Sequence, residues 1–370
     1  TTSDFEELER DNEEKISQVL PRAKAANDVL RTFLSRHQAS LPGAPFKIFR
    51  EDLLTALRDK GIVPEKFRKV AEIVENFAKT STIGRHDIIR TIGGKHISRP
   101  EVDAIIELIQ HKPKTILLTS GPGSGKTCLM LDVADRIEDM PQCELLFIKG
   151  DRFAGLSREP DLVAEGLPED TAGQCARLAE KRQLVVLIDS LDVLSLGRSH
   201  RSLGFFLNLL DKLTFINNVT VIAACRTFDL NYDPMLQGRE WEHKIEVLPF
   251  DYERDIVPLL FNWGIDPGDI EFNLCTLLQN PRLLSIFEKL VKFDGCNSIN
   301  TAHDLHEKYF DEVILKDKSL GQQAMDVLQR MAAICMDQRQ MSIPKARLSM
   351  DEDILPRLEK KSIFLRYFTQ

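Results

Sequence analysis

The residues best suited to chemistry are Ser120-Gly121-Pro122-Gly123-Ser124-Gly125-Lys126-Thr127, a glycine-rich run between a short apolar segment and a helical one, Cys128 to Ile137. That is the context a phosphate-binding loop requires. Gly121, Gly123 and Gly125, with Ser124 between them, let backbone N–H groups turn together toward one polyphosphate, and the following helix adds positive partial charge at its N-terminus. Lys126 can reach the β and γ phosphates, and Thr127 can ligate Mg²⁺. The strict pattern begins with Gly where this chain has Ser120, but the Gly-x-Gly-Lys-Thr cradle is complete.

Two carboxylates and an arginine could complete such a site. The all-apolar run Leu184 to Ile188 ends in Asp189, the place for an acid that holds Mg²⁺ together with Thr127. Asp192, three residues on, could position an attacking water or merely cap the next segment. Ala223-Ala224-Cys225-Arg226 ends another apolar run in an arginine that could contact a γ-phosphate, or form a surface ion pair. The catalytic candidates are therefore Asp189, Asp192 and Arg226, and the metal candidates Thr127 and Asp189. Arg198 and Arg201 are candidates for reaching a neighbouring subunit's nucleotide, against the plainer reading of solvated loop arginines. His303 and His306 have no third ligand, so no metal beyond Mg²⁺ is expected. Lys360, Lys361 and Arg366 read as a solvated face before a nucleic-acid contact.

Such residues need a parallel sheet behind them. From Thr115 to about Phe250, five strand-length apolar runs alternate with helix-length segments: Thr115 to Thr119, Glu144 to Ile148, Leu184 to Ile188, Val219 to Ala224 and Lys244 to Leu248. Before them, apolar positions at helical spacing run through residues 1 to about 38, Phe49 to Leu57 and Phe67 to Phe77; Pro21 interrupts the first. After Pro249, helical spacing returns over Tyr252 to Trp263, Pro281 to Val291, Ala302 to Leu315 and Ala324 to Met336. No period of about 20 to 50 residues recurs, so the chain is no repeat array.

A length of 370 residues predicts two or three domains. With 43% apolar, 29% charged and 7% aromatic residues the composition is globular and excludes collagen-like, low-complexity and disordered classes. A net charge of -8 argues against a surface that is wholly a nucleic-acid footprint. No run approaches the roughly 18 apolar residues of a membrane span, and the start shows no secretory signal. Seven cysteines without a C-x-x-C pair indicate neither disulfides nor a zinc cage, so reduced thiols in the cytoplasm are expected. The missing initial Met and the stop just after an apolar run suggest part of a longer protein.

Taken together, residues 94 to 365 resemble the STAND class of signal-transduction ATPases, P-loop proteins related to AAA+. The likeness rests on Asp189-Ser190-Leu191-Asp192, similar to that class's acidic cluster though with Val193 in place of its final Glu, and on Cys225-Arg226 at the next strand's end. Ile97-Ser98-Arg99-Pro100-Glu101 resembles a short motif before the first strand, and Asn280-Pro281-Arg282-Leu283-Leu284 one that brings a proline near the adenine. The resemblance implies an α/β P-loop core at 94–250, preceded by a helical domain at 1–93 for effector, adaptor or oligomerisation roles. A helical lid at 251–320 and a winged-helix-like part at 321–370 would follow. It also implies ATP or ADP with Mg²⁺, and nucleotide contacts from Arg99 and Pro281.

The function then expected is an ATP-dependent signalling switch that hydrolyses slowly and oligomerises on activation with a protein trigger or effector, as in anti-phage defence or innate-immune-like signalling. Slowness follows from Ser190, because AAA+ enzymes usually carry Glu after the Mg²⁺ acid, and a missing general base costs about 10²–10⁴-fold in rate. The alternative is an AAA+ origin-recognition-type DNA-binding ATPase, which shares Asp-x-Leu-Asp and a helix like Leu209-Leu210-Asp211. Ser190, and Arg226 where those proteins place Asn, favour the switch. Nucleic acid is otherwise not indicated, nor is a membrane.

Overall fold

A computed structural model describes residues 23–40, 53, 56, 70–85, 88–154, 156, 158–195, 201–293, 299–338, 343 and 353–360. The helices expected over 1–20 and most of 49–57, Arg198, Lys361, Arg366 and much of the winged-helix-like part expected at 321–370 lie outside the described residues. By its contacts the chain divides into two compact units, Thr1–Ile73 and Val74–Gln370. The first contains helix α1, Ala23–Ser40.

Helix α2, Val70–Arg85, runs eight residues beyond the expected end at Phe77. Its C-terminal half lines an edge of the sheet that follows: the Ser81 hydroxyl accepts the Phe147 N–H at 2.9 Å. A two-residue hairpin, β1 (Thr91–Ile92) and β2 (Lys95–His96), precedes α3 (Pro100–Gln110). The five expected apolar runs are β3 (Thr115–Ser120), β4 (Cys143–Lys149), β5 (Gln183–Asp189), β6 (Val219–Arg226) and β7 (His243–Glu246), in one sheet of order β4-β5-β6-β3-β7. Every pairing in it is parallel. β7 stops two residues short of the expected Leu248, where the chain turns toward the helical part.

Helices cover both faces, which is why these strands read as continuous apolar runs. On one face α3 and α4 (Lys126–Glu138) bury Ile105, Ile109, Leu129 and Ile137 against Ile116, Phe147, Leu187 and Ile222. Neighbouring strand residues such as Leu117, Leu146, Val186 and Val221 point to the other face. There α6 (Thr171–Ala179) and α8 (Arg201–Thr214) pack on β5 and β6. Short helices α5 (Glu159–Ala164), α7 (Leu191–Ser195) and α9 (Thr227–Tyr232) complete this part. Register places Ser120 opposite Arg226 and Lys149 opposite Asp189, while Ile188 pairs with Ala223, so β3 and β6 end together and reach about two residues past the common end of β4 and β5.

Beyond β7 lie α10 (Val257–Asn262), α11 (Phe272–Leu278), α12 (Pro281–Leu290), α13 (Ala302–Tyr309), α14 (Gly321–Gln338) and α15 (Leu355–Lys360). The helix expected from Tyr252 begins instead as a wide π turn, Tyr252–Ile256, and becomes α-helical only at Val257. Pro258 explains this: it has no N–H, and its ring would strike the carbonyl four residues back in an α-helix. One apolar cluster takes in Phe250, Leu260, Leu284, Phe287, Ile314, Val327 and Leu358, on both sides of the division expected at 320.

Candidate functional site

The glycine-rich loop leaves the sheet at the end of β3. Gly123 and Gly125 have φ of +74° and +86°. A Cβ at Gly123 would lie 2.8 Å from Arg282 Cβ and 2.9 Å from Asn280 Oδ1, so both backbone and neighbours demand glycine. Ser124 Oγ donates to the Gly121 carbonyl at 3.0 Å and also bonds Ser120 Oγ. Lys126 Nζ donates to Ser120 O (3.1 Å), Ser120 Oγ (3.0 Å) and Gly121 O (3.0 Å). Ser120 is still part of β3, so its side chain does not obstruct the turn and its hydroxyl is one more partner for the lysine. Burial lowers the Lys126 pKa, opposed by the charge of Asp192.

On the other side of Lys126 stands the acid. Thr127, in the first turn of α4, donates its hydroxyl to Asp189 Oδ2 at 2.8 Å, and Asp189 is 1% exposed at the end of β5. Burial pushes its carboxyl from 3.8 up to about 6; the Thr127 bond opposes the rise and the charge of Asp151 adds to it. Lys149, beside Asp189 in register, pairs with Asp151 at 3.4 Å. Ser190 has φ +62°, uncommon for a residue with a side chain, and turns the chain directly into α7. Asp192 in the first turn of α7 is thereby brought to Arg226, whose Nε meets Asp192 Oδ2 at 2.9 Å. The Asp192 side chain is 4% exposed, that of Arg226 42%.

Helix α12 meets the loop from the opposite direction. Its N-cap Asn280 accepts the N–H groups of Arg282 and Leu283 on Oδ1 and donates Nδ2 to the Pro122 carbonyl at 3.1 Å. The Arg282 N–H also reaches the Gly123 carbonyl at 3.2 Å. Pro281 Cγ lies 3.6 Å from the place of a Cβ on Gly125. Arg99, which precedes Pro100 at the start of α3, lies beneath the loop: Nη2 donates to Ser124 O at 2.7 Å and Nη1 to Leu248 O at 2.8 Å.

The structure thus brings together Arg99, Gly121, Gly123, Ser124, Gly125, Lys126, Thr127, Asp189, Asp192, Arg226 and Pro281. Arg201 is exposed at the start of α8. His303 and His306 lie on α13, and among the described residues no three metal-ligating side chains gather. Sequence reasoning took in Asn280 as part of a motif but gave it no role of its own, although Asn before Pro is the mark of a capped helix start. It also missed the Leu248–Phe250 segment as partner to Arg99, for which separation in sequence left no signal.

Residues 116–248 match the family model described as ATPase family associated with various cellular activities (AAA). Over 221 residues, 55% of the chain, it is 28% identical to the Cell division cycle protein 48 homolog of Archaeoglobus fulgidus. It covers 28% of that protein's length. Among solved structures, a Walker-type ATPase of Pyrococcus abyssi is 16% identical with a TM-score of 0.41, covering 75% of this chain and 93% of its own. The Aeropyrum pernix ORC1 protein in complex with DNA is 14% identical with a TM-score of 0.37, covering 78% and 84%. AMPPCP-bound DnaA from Aquifex aeolicus is 14% identical with a TM-score of 0.38, covering 72% and 90%. Residues 116–248 are therefore an AAA-type P-loop ATPase domain. The matched family is the AAA family and not a signalling class, and its range takes in both Ser190 and Arg226.

Proposed function

We propose that the chain is an AAA+-type ATPase working as a nucleotide-gated switch, with ATP or ADP held between the sheet's carboxyl edge and the helical lid. One observation carries this reading: the lid's Asn280 and Arg282 bond directly to the Pro122 and Gly123 carbonyls of the phosphate loop. Whatever occupies the loop must therefore be felt by the lid. The residues fit the ligand. Gly123 and Gly125 adopt the left-handed turns that aim backbone N–H groups inward, and Lys126 already rests on oxygen atoms. Thr127 and Asp189 offer a hydroxyl and a carboxylate in contact, hard oxygen donors suited to Mg²⁺.

Mg²⁺, when bound, would neutralise developing charge on the phosphates. Lys126 would turn from Ser120 and Gly121 toward the β and γ phosphates. Asp192 would accept a hydrogen bond from the attacking water, and Arg226, now on Asp192, would move to the γ-phosphate when one is present. With Ser190 in place of a glutamate, turnover is slow. Exchange of ADP for ATP then shifts the population between lid-closed and lid-open forms, and the open form self-associates.

A second reading, an origin-recognition-type DNA-binding ATPase, is favoured by the match of residues 116–248 to the AAA family, to which proteins of that type are related. One experiment tests both. ATP turnover and sedimentation are measured with ADP, with a non-hydrolysable ATP analogue, and with analogue plus duplex DNA. Assembly with the analogue and slow turnover support the switch; assembly that needs DNA supports the second reading; no nucleotide binding in calorimetry refutes both.

A further inference from the structure

We propose that Arg99 is a positioning residue that couples the lid to the phosphate loop, and does not itself contact the nucleotide. The inference rests on the nucleotide-site reading above. Arg99 is 6% exposed, and its two terminal nitrogens are engaged on different backbone segments, Ser124 of the loop at 2.7 Å and Leu248 of the link to the lid at 2.8 Å. Its guanidinium lies 4.5 Å over the Phe250 ring. Glu101 completes the joint: Oε1 accepts the Leu248 N–H at 3.1 Å and stands 3.7 Å from Arg99 Nη1.

From there the path closes on itself. The Phe250 N–H donates to Gln279 O at 2.9 Å, and Asn280, the next residue, bonds Pro122 at 3.1 Å. Loop, Arg99, residues 248–250, residues 279–280 and loop again form one ring of contacts around the point where sheet gives way to lid. A planar fork with fixed angles transmits displacement as a flexible ammonium cannot. A shift of the Ser124 peptide as the loop closes on a polyphosphate would thus pull Leu248 and, through Phe250, reset the lid. The guanidinium, covered on one face by Phe250 and held by two carbonyls, is poorly placed to serve a ligand as well.

The test is hydrogen exchange of the loop (residues 121–130) and of two lid-side peptides (248–252 and 280–284) with and without ADP and Mg²⁺, alongside calorimetric ADP binding. Wild type, Arg99→Lys, Phe250→Leu and the double variant are compared. In wild type ADP should slow exchange in all three peptides. In Arg99→Lys it should still bind and protect the loop, while the ADP-dependent protection of the lid peptides falls by about tenfold or more, the weight of one charge-assisted hydrogen bond. Phe250→Leu should do the same, and the double variant should be no worse than either single. A merely structural role would raise exchange equally with and without ADP, and that result overturns the proposal. So does ADP affinity lost together with loop protection, which would make Arg99 a ligand contact, or lid protection that follows ADP unchanged in Arg99→Lys. If wild type itself binds no ADP, the nucleotide-site reading fails first; if it binds and only the lid is indifferent, the coupling alone fails.

Discussion

The sheet and the lid hold the same eight-residue loop by different means. On the sheet side, β3 carries the loop from a strand paired on both edges, Ile116, Leu117 and Leu118 are fully buried, and the acid partner of Thr127 ends a strand of the same sheet. Each such buried side chain contributes roughly 1.5–3 kcal/mol. On the lid side the hold consists of a helix N-terminus and two hydrogen bonds, Asn280 to Pro122 and Arg282 to Gly123. Net contributions of about 0.5–1.5 kcal/mol each make this contact separable at a cost the nucleotide can cover. On the proposed function, the difference leaves one side to fixed chemistry and the other to movement.

The largest effect should come from the fixed side. Lys126→Ala removes the loop's ammonium, and with it at least two charge-assisted bonds to phosphate, so ATP affinity should fall by on the order of 10²–10⁴-fold. Calorimetry decides; undiminished binding would mean that the loop is not the phosphate site. Circular dichroism of this variant should be unchanged, because the lysine holds no part of the core.

Asp189→Asn should come next, and it should stabilise the protein alone while impairing its function. The folded pKa of about 6 lies above the ordinary 3.8 of a free aspartate, so the fold binds a proton more readily than the unfolded chain. The stabilising part is present below pH ~4 and is lost as pH rises through 6. By pH 7 the buried carboxylate costs up to about 3 kcal/mol. Chemical denaturation of nucleotide-free Asp189→Asn should therefore show a gain over wild type at pH 7.5 that shrinks toward zero near pH 4. The variant should lose the Mg²⁺-dependent part of nucleotide binding. Equal stability at both pH values would remove the argument that this acid is held ready for a cation.

The same division explains what the sequence disclosed. Leu184 to Ile188 is legible as a buried strand because a parallel sheet covered on both faces requires apolar residues at every position, and Asp189 then stands out as the residue that breaks the run. The loop is legible because glycine spacing encodes backbone conformation locally. By contrast, the partners of Arg99 lie 25 and 149 residues away, and only the finished fold brings Ser124 and Leu248 to one side chain. The π turn at Tyr252–Ile256 sits between these cases, because Pro258 marks a break without saying which form it takes.

On the movable side, Asn280→Ala should remove both the α12 cap and the bond to Pro122. Cap loss costs about 0.5–2 kcal/mol. ADP affinity should change less than in either variant above, while proteolysis at exposed sites of the lid should quicken. A lid as resistant as wild type would show that α12 is held by its apolar face alone and that the loop contact is incidental.

The smallest effect, and the sharpest, is expected at Arg226. In the structure it pairs with Asp192, and although the arginine side chain is 42% exposed the carboxylate is 4% exposed, so removing the arginine leaves a buried charge less well compensated, at the lower end of about 1–3 kcal/mol. Arg226→Ala should therefore lower the melting temperature modestly and leave ADP binding close to wild type. What it should lose is discrimination: an arginine that leaves Asp192 for the γ-phosphate adds about 1.5–3 kcal/mol to ATP alone, so the ratio of ATP-analogue to ADP affinity should fall by about tenfold or more. Converting a mostly closed population to a mostly open one takes about 5.5 kcal/mol of differential binding, more than this single contact supplies. Nucleotide by itself should thus bias the lid without emptying either state, and a partner must supply the rest. Competition binding with ADP and a non-hydrolysable analogue, read beside lid proteolysis, checks this. If Arg226→Ala weakens ADP and analogue equally, the arginine belongs to the fixed side of the site with Lys126 and does not report the γ-phosphate.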